Sequence, residues 1–153
     1  MENGTIGIAS FAIGVKMRLS PNFTLEELCA TSTGAANVPN EVQTKTLLYL
    51  VTYILQPIRN KFGPLIISSG FRSELVNKKI KGSKISQHMQ GEAVDIVPKD
   101  IDAVFEWCRK NIAFGQLINE SKNGKRWLHI SLPRIGGVNQ QVLTFDGVKY
   151  AAV

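Results

Sequence analysis

The spacing of apolar residues predicts one long helix in the first half of the chain. Apolar side chains recur three and four positions apart between residues 40 and 62, which is the period of a helix with one buried face. Asn40 and Gln43 form a capping box at its start, and Gly63-Pro64 ends it. Pro57 lacks an amide donor, so we expect it to kink or divide this helix.

Capping residues and short periodic runs indicate three further helices. Thr24 and Glu27 form a second capping box, which predicts a helix that runs to about residue 30. The segment 73–79 is compatible with a short helix, whereas the glycine-containing polar segment 81–91 is predicted to be a loop. Asp100 is placed to cap a helix whose apolar residues continue as far as residue 112.

Short apolar runs predict strands in the second half of the chain. Residues 65–68 are expected to form a short buried strand. Ala93–Val97 is expected to be a strand in which Asp95 points to the opposite face from its apolar neighbours. Helices come first and strands dominate later, which favours an α+β fold.

Two glycine turns predict hairpins near the end of the chain. The ranges 115–120 and 126–132 flank Asn123-Gly124, and Asn-Gly between apolar runs is the strongest short hairpin signal. A second hairpin is expected around Asp146-Gly147. The chain is therefore predicted to form a single domain with an antiparallel sheet flanked by helices.

Length and charge are consistent with one domain and an anionic partner. The 153 residues can bury a core without disulfides, and we assign residues 18–153 to this domain. The formal net charge of +6 suits nucleic acid, a membrane surface or a bacterial cell wall, without choosing among them. Cys29 and Cys108 fit no C-x-x-C pattern and are expected to be reduced, buried thiols.

The apolar N-terminal segment lacks the features of an export signal. The run from Ile6 to Val15 is interrupted by Gly7 and Gly14, and it is preceded by Glu2 where a signal peptide has basic residues. We expect residues 1–17 to be a flexible tail or an edge strand, and the protein to be synthesised in the cytoplasm without a signal peptide. No segment is long enough for stable membrane insertion.

The two histidines of the chain indicate a possible metal site. Asp95 follows His88 by seven residues, and His129 lies on a predicted strand. Two imidazoles and one carboxylate make three ligands, which leaves one position of tetrahedral zinc for water, as in catalytic zinc sites. Spacing alone is also compatible with a loop histidine, a surface carboxylate and a core histidine.

Four motifs occur in order along the chain: Ser69–Ser73, Ser86–His88, Gly91–Ile96 and Trp127–Ser131. They resemble the pattern S-G-[FY]-R-S, S-x-H-x(6)-D and W-x-H-[IV]-S of the zinc D-Ala-D-Ala carboxypeptidase and L-Ala-D-Glu endopeptidase family, peptidase family M15. The segment Leu19–Leu28 is similar to the opening of the short phage-type members of that family.

The resemblance implies a fold of the hedgehog and DD-peptidase type, with one zinc ion held by His88, Asp95 and His129. It also implies that the protein cleaves peptide bonds in the stem peptides of bacterial peptidoglycan. These bonds are of the D-Ala-D-Ala or L-Ala-D-Glu type.

Substrate binding is also assigned by the resemblance. Arg72, in the S-G-F-R-S motif, is expected to bind a substrate carboxylate or the polarised carbonyl oxygen. Its planar fork of donors suits either group. Ser86 and Gln116 are the other residues that we expect to contact the stem peptide.

One position departs from the better-known branches of the family. These branches carry a general-base carboxylate three residues before the last histidine, where this chain has Arg126, which cannot accept a proton. We predict that Glu120 serves instead, because a hairpin at Asn123-Gly124 brings it to the face of His129, and a slip of one residue would reverse this. Glu92 is a second candidate.

Three classes of function follow from these observations. The favoured class is a zinc peptidase encoded by a phage or prophage, acting as a monomer at the bacterial cell wall after release. A non-catalytic wall-binding or virion-structural module on the same fold is the alternative, and Arg126 is its best support. A nucleic-acid-binding domain fits the charge but explains neither histidine, so we expect no nucleic-acid partner.

Overall fold

Helices precede most of the strands along the chain, which confirms the predicted α+β order. The computed structural model describes residues 16–153, so residues 1–15 of the predicted tail lie outside the described part. The α-helices in this part are α1 (Leu25–Leu28), α2 (Glu41–Leu50), α3 (Gln56–Phe62), α4 (Glu74–Lys79) and α5 (Ile101–Asn111). The strands are β1 (Ile66–Ser69), β2 (Ala93–Val97), β3 (Gln116–Lys122), β4 (Lys125–Ser131), β5 (Gln141–Phe145) and β6 (Tyr150–Ala152).

The predicted long helix is continuous from α2 to α3 but is divided by a π-helical turn. This turn comprises Val51–Leu55, and the amide of Gln56 donates to the carbonyl of Val51. Pro57 comes directly after Gln56, so the residue that lacks an amide donor lies where the hydrogen bonding changes from π-helical to α-helical, and the predicted division of the helix is confirmed. Within residues 16–153, no helix is both long enough and apolar enough to cross a membrane.

Side chains cap the helices where the sequence predicts caps. Thr24 and Asn40 complete capping boxes with Glu27 and Gln43, respectively, and Asp100 caps α5. These bonds satisfy backbone amides that the helices themselves leave free, so they fix where each helix begins.

The strands form one sheet in the order β1-β2-β4-β3-β5-β6. Neighbouring strands are antiparallel except for β3 and β5, which run parallel. The parallel pair places the predicted C-terminal hairpin, β5–β6, beside the central hairpin, β3–β4. The sequence does not predict this pairing, because local turn signals specify antiparallel neighbours only.

The β3–β4 hairpin has the predicted turn and register. Asn123-Gly124 adopts φ values of 52° and 73°, the left-handed conformation that two-residue hairpin turns of this kind require. Glu120 therefore lies opposite Trp127, and Ile118 lies opposite His129.

The two faces of the sheet differ in character. One face packs on the helices and contributes fully buried apolar side chains to the core, namely Val94, Ile96, Leu117, Leu128 and Ile130. Residues that alternate with these along β2, β3 and β4 point to the other face. Asp95 is among them, as its position in the strand predicts.

Strand β1 is less buried than its apolar run predicts. Ile66 is 67% exposed, because it is paired with Val97 and points to the sheet face that the helices do not cover. The expectation of a buried strand is wrong here. A short apolar run does not distinguish a central strand from an edge strand.

Both cysteines are free thiols, as expected. Cys108 is buried and Cys29 is half-buried. Burial raises the pKa of each thiol to about 12, with the charge of Glu26 adding to the shift at Cys29. Both thiols are therefore protonated and unreactive at neutral pH.

Candidate metal centre and active-site groove

Three elements bring two histidines and an aspartate together. His88 lies in a short 3-10 turn, Gln87–Gln90, Asp95 is in the middle of β2, and His129 is on β4. Asp95 and His129 are paired directly across the two antiparallel strands, so their side chains share one face. Gly91, with φ of 73°, ends the turn and leads the chain from His88 into β2.

The donor atoms of these three residues converge. Oδ1 of Asp95 lies 3.3 Å from Nε2 of His88 and 2.9 Å from Nδ1 of His129. The three atoms lie within 4.8 Å of one another, and all three residues are buried. This set could hold a metal ion, because two imidazole nitrogens and a carboxylate oxygen are ligands that zinc commonly takes.

Two further hydrogen bonds set which imidazole nitrogen faces the centre. Nδ1 of His88 lies 2.8 Å from the carbonyl oxygen of Gly70, so it carries the proton and leaves Nε2 as a ligand. Nε2 of His129 lies 3.3 Å from Oε1 of Gln87, which leaves Nδ1 facing Asp95. Gln87 was not predicted as a site residue, although its position directly before His88 is a signal that could have identified it.

A glycine positions the first motif beside α1. A Cβ atom at Gly70 would lie 2.2 Å from the carbonyl oxygen of Leu28, so a larger residue does not fit. The amide of Phe71 donates to the same oxygen at 2.6 Å. This close approach fixes the Gly70 carbonyl that accepts from His88, and it fixes the start of the segment that carries Arg72.

Arg72 is bonded to the aspartate of the metal centre. Its Nη2 donates to Oδ2 of Asp95 at 3.0 Å, and its Nε donates to Oγ of Ser69 at 2.8 Å. Nη1 makes no hydrogen bond within residues 16–153. Burial lowers the pKa of Arg72, while the negative charges of Asp95 and Glu120 oppose the shift, and the guanidinium remains charged.

The electrostatics of the centre favour an ionised carboxylate. Burial opposes ionisation of Asp95, but the charges of and hydrogen bonds from His88 and His129 hold the pKa of this carboxyl well below its usual range. Burial also lowers the pKa of His88, against the attraction of Asp95. Positive charge on the two imidazoles is what lowers the pKa of Asp95; a bound metal ion would supply positive charge in their place, with the carboxylate ionised and the imidazoles neutral, which are the protonation states that bind a metal.

His88, Asp95 and His129 lie in a groove of about 620 Å³. Arg72, Ser86, Gln116 and Glu120 line this groove together with His88, Asp95 and His129. The structure therefore brings the predicted ligands, the substrate-binding residues and the favoured base into one place, from three strands and two loops, whereas the second base candidate, Glu92, does not line the groove.

Glu120 places a carboxylate on the sheet face that carries His129. It lies opposite Trp127, two residues along β4 from His129, and lines the groove. Burial and the charge of Asp95 raise the pKa of Glu120, while His129 and Arg72 oppose the shift. A raised pKa makes its carboxylate a stronger proton acceptor.

The side chains at positions 126 and 92, the other two positions considered for the general base, are each paired with an oppositely charged residue. Arg126 donates to Asp102 of α5 at 2.6 Å, on the opposite face of β4 from His129. An offset of three residues along a strand reverses the face, so a carboxylate at position 126 would also point away from the groove. Glu92 is paired with Arg134, whose Nε donates to it at 2.6 Å.

Part of the groove was not predicted. Its far wall is formed by residues that follow β4, including Arg134, Val138 and Tyr150. These residues carry no motif, and their place depends on the parallel pairing of β3 with β5. Local sequence signals do not specify that pairing.

Most of the chain matches one known protein family. A family model described as Peptidase M15 matches residues 21–131. This range contains α1 through β4 and every sequence-predicted site residue, whereas β5 and β6 follow it. No curated protein matches the chain.

Proposed function

The chain belongs to the peptidase M15 family, and we propose that it is a zinc-dependent peptidase that cleaves the stem peptides of bacterial peptidoglycan. One observation carries this proposal: the donor atoms of His88, Asp95 and His129 converge within 4.8 Å in the groove that Glu120 also lines. Hydrolysis of a peptide bond by a metallopeptidase requires a metal-binding set and a proton acceptor in one groove.

The metal ion would be held by Nε2 of His88, Oδ1 of Asp95 and Nδ1 of His129. A carboxylate that stays ionised although it is buried fits a cation at this point. Three protein ligands suit a catalytic zinc site, because they leave one position open. When bound, zinc supplies a Lewis acid that polarises the scissile carbonyl and acidifies a water molecule.

Glu120 would act as the general base. It takes a proton from the attacking water and passes it to the leaving amine as the peptide bond breaks. Its raised pKa supports the first step, because the carboxylate accepts the proton more readily. Its position on the face of His129 supports its access to the reacting atoms.

Arg72 would serve both the centre and the substrate. Its Nη2 orients Asp95 through the 3.0 Å bond, and its Nη1 would bind a carboxylate or carbonyl oxygen of the stem peptide. Ser86 and Gln116 would contribute further hydrogen bonds from the same groove.

The finer assignment is to a lysin that cuts D-Ala-D-Ala or L-Ala-D-Glu bonds. The net charge of +6 supports attraction to an anionic cell wall. The resemblance of Leu19–Leu28 to short phage-type members supports a phage or prophage origin. We propose that the protein acts as a monomer.

A non-catalytic wall-binding module on the same fold is the alternative. In the sequence its best support is the absence of a carboxylate at position 126, and that support is weakened because position 126 faces α5 and Glu120 lines the groove. The test is incubation of the purified protein with peptidoglycan, with zinc and after chelation, followed by mass spectrometry of the released muropeptides. Zinc-dependent cleavage supports the peptidase, and wall binding without any cleavage supports the alternative.

A further inference from the structure

The groove extends beyond the family-matched segment onto the C-terminal hairpin. Tyr150 of β6 lines the groove with Glu120, and Arg134 and Val138 line the same region. All three follow residue 131, where the family match ends. This wall is therefore added to the metal-binding segment by the last part of the chain.

Strand pairing places Tyr150 in one row with the proposed base. Glu120 lies opposite Trp127 on one side and opposite Phe145 on the other, and Phe145 lies opposite Tyr150. Side chains paired in this way point to the same face of a sheet. Two strand spacings, roughly 10 Å, separate the backbones of Glu120 and Tyr150.

The ring of Tyr150 is held while its polar end stays accessible. The rings of Phe145 and Tyr150 stack with their centroids 4.5 Å apart, and Tyr150 is 57% exposed. Burial raises the pKa of Tyr150, and the charges of Glu120 and Asp95 raise it further. The hydroxyl therefore keeps its proton and can donate a hydrogen bond.

The length of the groove floor suits a short peptide. Asp95 lies on β2 and Tyr150 lies on β6, and the strands between them are β4, β3 and β5. The two residues are therefore four strand spacings apart, or roughly 19 Å. An extended peptide of about five or six residues covers that length. A peptide that crosses the metal centre can therefore reach from Arg72 to Tyr150.

We propose that Tyr150 is a substrate-positioning residue, whose hydroxyl donates to a carbonyl or carboxylate oxygen of the stem peptide. Arg72 anchors the peptide at one end of the groove and Tyr150 anchors it at the other. The C-terminal hairpin thereby determines which stem peptides bind productively. This inference rests on the proposed function, because it concerns the substrate of the same groove.

The test compares Tyr150→Phe with the wild type. Phenylalanine retains the stack on Phe145 and removes only the hydroxyl. Tyr53→Phe is the matched control, because Tyr53 is also exposed, at 62%, and stacks on Tyr49 at 6.2 Å, but it lies on the helical side of the molecule. Mass spectrometry of a wild-type peptidoglycan digest identifies the bond, and a synthetic peptide containing that bond then gives kcat and KM for the zinc-loaded proteins.

We expect Tyr150→Phe to raise KM about three- to tenfold, the usual effect of one hydrogen bond, with kcat, zinc content and thermal stability unchanged. Tyr53→Phe should behave as the wild type. An unchanged KM in Tyr150→Phe overturns the inference even if Tyr150→Ala loses activity, because the ring alone would then matter. If the wild type cleaves no peptidoglycan, the proposed function fails, and this inference fails with it.

Discussion

Glu120 lies directly opposite Trp127 across the β3–β4 hairpin, on the sheet face that also carries His129. The two-residue turn at Asn123-Gly124 fixes this register. A shift of one residue would point Glu120 towards the helices, because side chains alternate between the faces of a strand. The position of the proposed base is thus determined by a turn that itself lies outside the groove.

The change Glu120→Gln tests the role of this carboxylate. Glutamine is nearly isosteric, so fold and zinc content should be retained, while kcat falls by about 10²–10⁴, the usual range for a positioned acid–base group. An acidic limb of the wild-type pH–rate profile that reports ionisation of Glu120 should disappear in the variant. Steady-state kinetics between about pH 4 and pH 9 measure both the fall in kcat and the loss of the acidic limb.

Two comparisons make this result specific. Glu106→Gln, on α5 and outside the groove, should leave kcat unchanged. If Glu92→Gln abolishes turnover while Glu120→Gln does not, the base is Glu92 and the assignment of Glu120 is wrong.

The same residue should make stability depend on pH. Because burial and Asp95 raise the pKa of folded Glu120 above its unfolded value, the native state binds this proton more tightly. The stabilisation is present below pH 4.5 and is lost as pH rises through the folded pKa. Urea unfolding of the metal-free protein should therefore show Glu120→Gln becoming more stable than the wild type as pH rises. A difference that stays constant with pH would contradict the assigned cause.

Metal content tests the three-ligand set directly. We expect about one zinc per chain, since His88, Asp95 and His129 supply three converging donor atoms. His88→Ala and His129→Ala should each weaken binding by more than the roughly 10–100-fold seen when a ligand's hydrogen-bond partner is removed. Cys29→Ala, which removes a free thiol elsewhere, should retain zinc. Full occupancy in the double histidine variant, measured by elemental analysis, would rule out this site.

The change Arg72→Lys tests whether the planar shape of the guanidinium matters in addition to its positive charge. Lysine keeps the positive charge but cannot bond Asp95, Ser69 and a substrate oxygen at once. With zinc in excess, we expect the variant to be fully loaded and kcat/KM to fall ten- to thousandfold, or about 1.4–4 kcal/mol of transition-state stabilisation. Arg109→Lys, at an exposed pair with Glu106 on α5, is the control. Wild-type turnover in Arg72→Lys would show that the guanidinium does not contact the substrate.

Local signals in the sequence predict most of the part of the fold that carries the candidate metal site. Capping boxes at Thr24 and Asn40 determine where two helices begin, and Asn123-Gly124 determines the central hairpin. Alternation along Ala93–Val97 predicts the direction of Asp95. Each of these features depends on residues within a few positions of one another, so the sequence reveals them.

Features that depend on contacts between distant segments were not predictable in this way. The parallel pairing of β3 with β5 brings Tyr150 to the groove, and no local motif specifies it. The exposure of Ile66 depends on its pairing with Val97, which sets the face of the sheet to which it points. The bond from Arg72 to Asp95 likewise joins side chains that are 23 residues apart in the chain.

Gly70→Ala tests whether the motif glycine is required by the close approach of α1. An added Cβ would lie 2.2 Å from the backbone oxygen of Leu28, and a backbone atom cannot move aside without shifting α1. We expect a loss of about 1–3 kcal/mol in the free energy of unfolding, as overpacking typically costs, measured by urea denaturation. Zinc affinity should also fall, because the Gly70 carbonyl accepts the proton of His88.

Gly34→Ala is the matched control for this substitution. Gly34 has φ of 71° and nothing within 4 Å of an added Cβ, so only backbone strain applies there. That strain costs of order 1 kcal/mol and should leave zinc affinity unchanged, because Gly34 has no contact with the ligands. The two variants therefore separate loss of stability from loss of the metal centre. Equal zinc affinity in both would show that the Gly70 carbonyl does not orient His88.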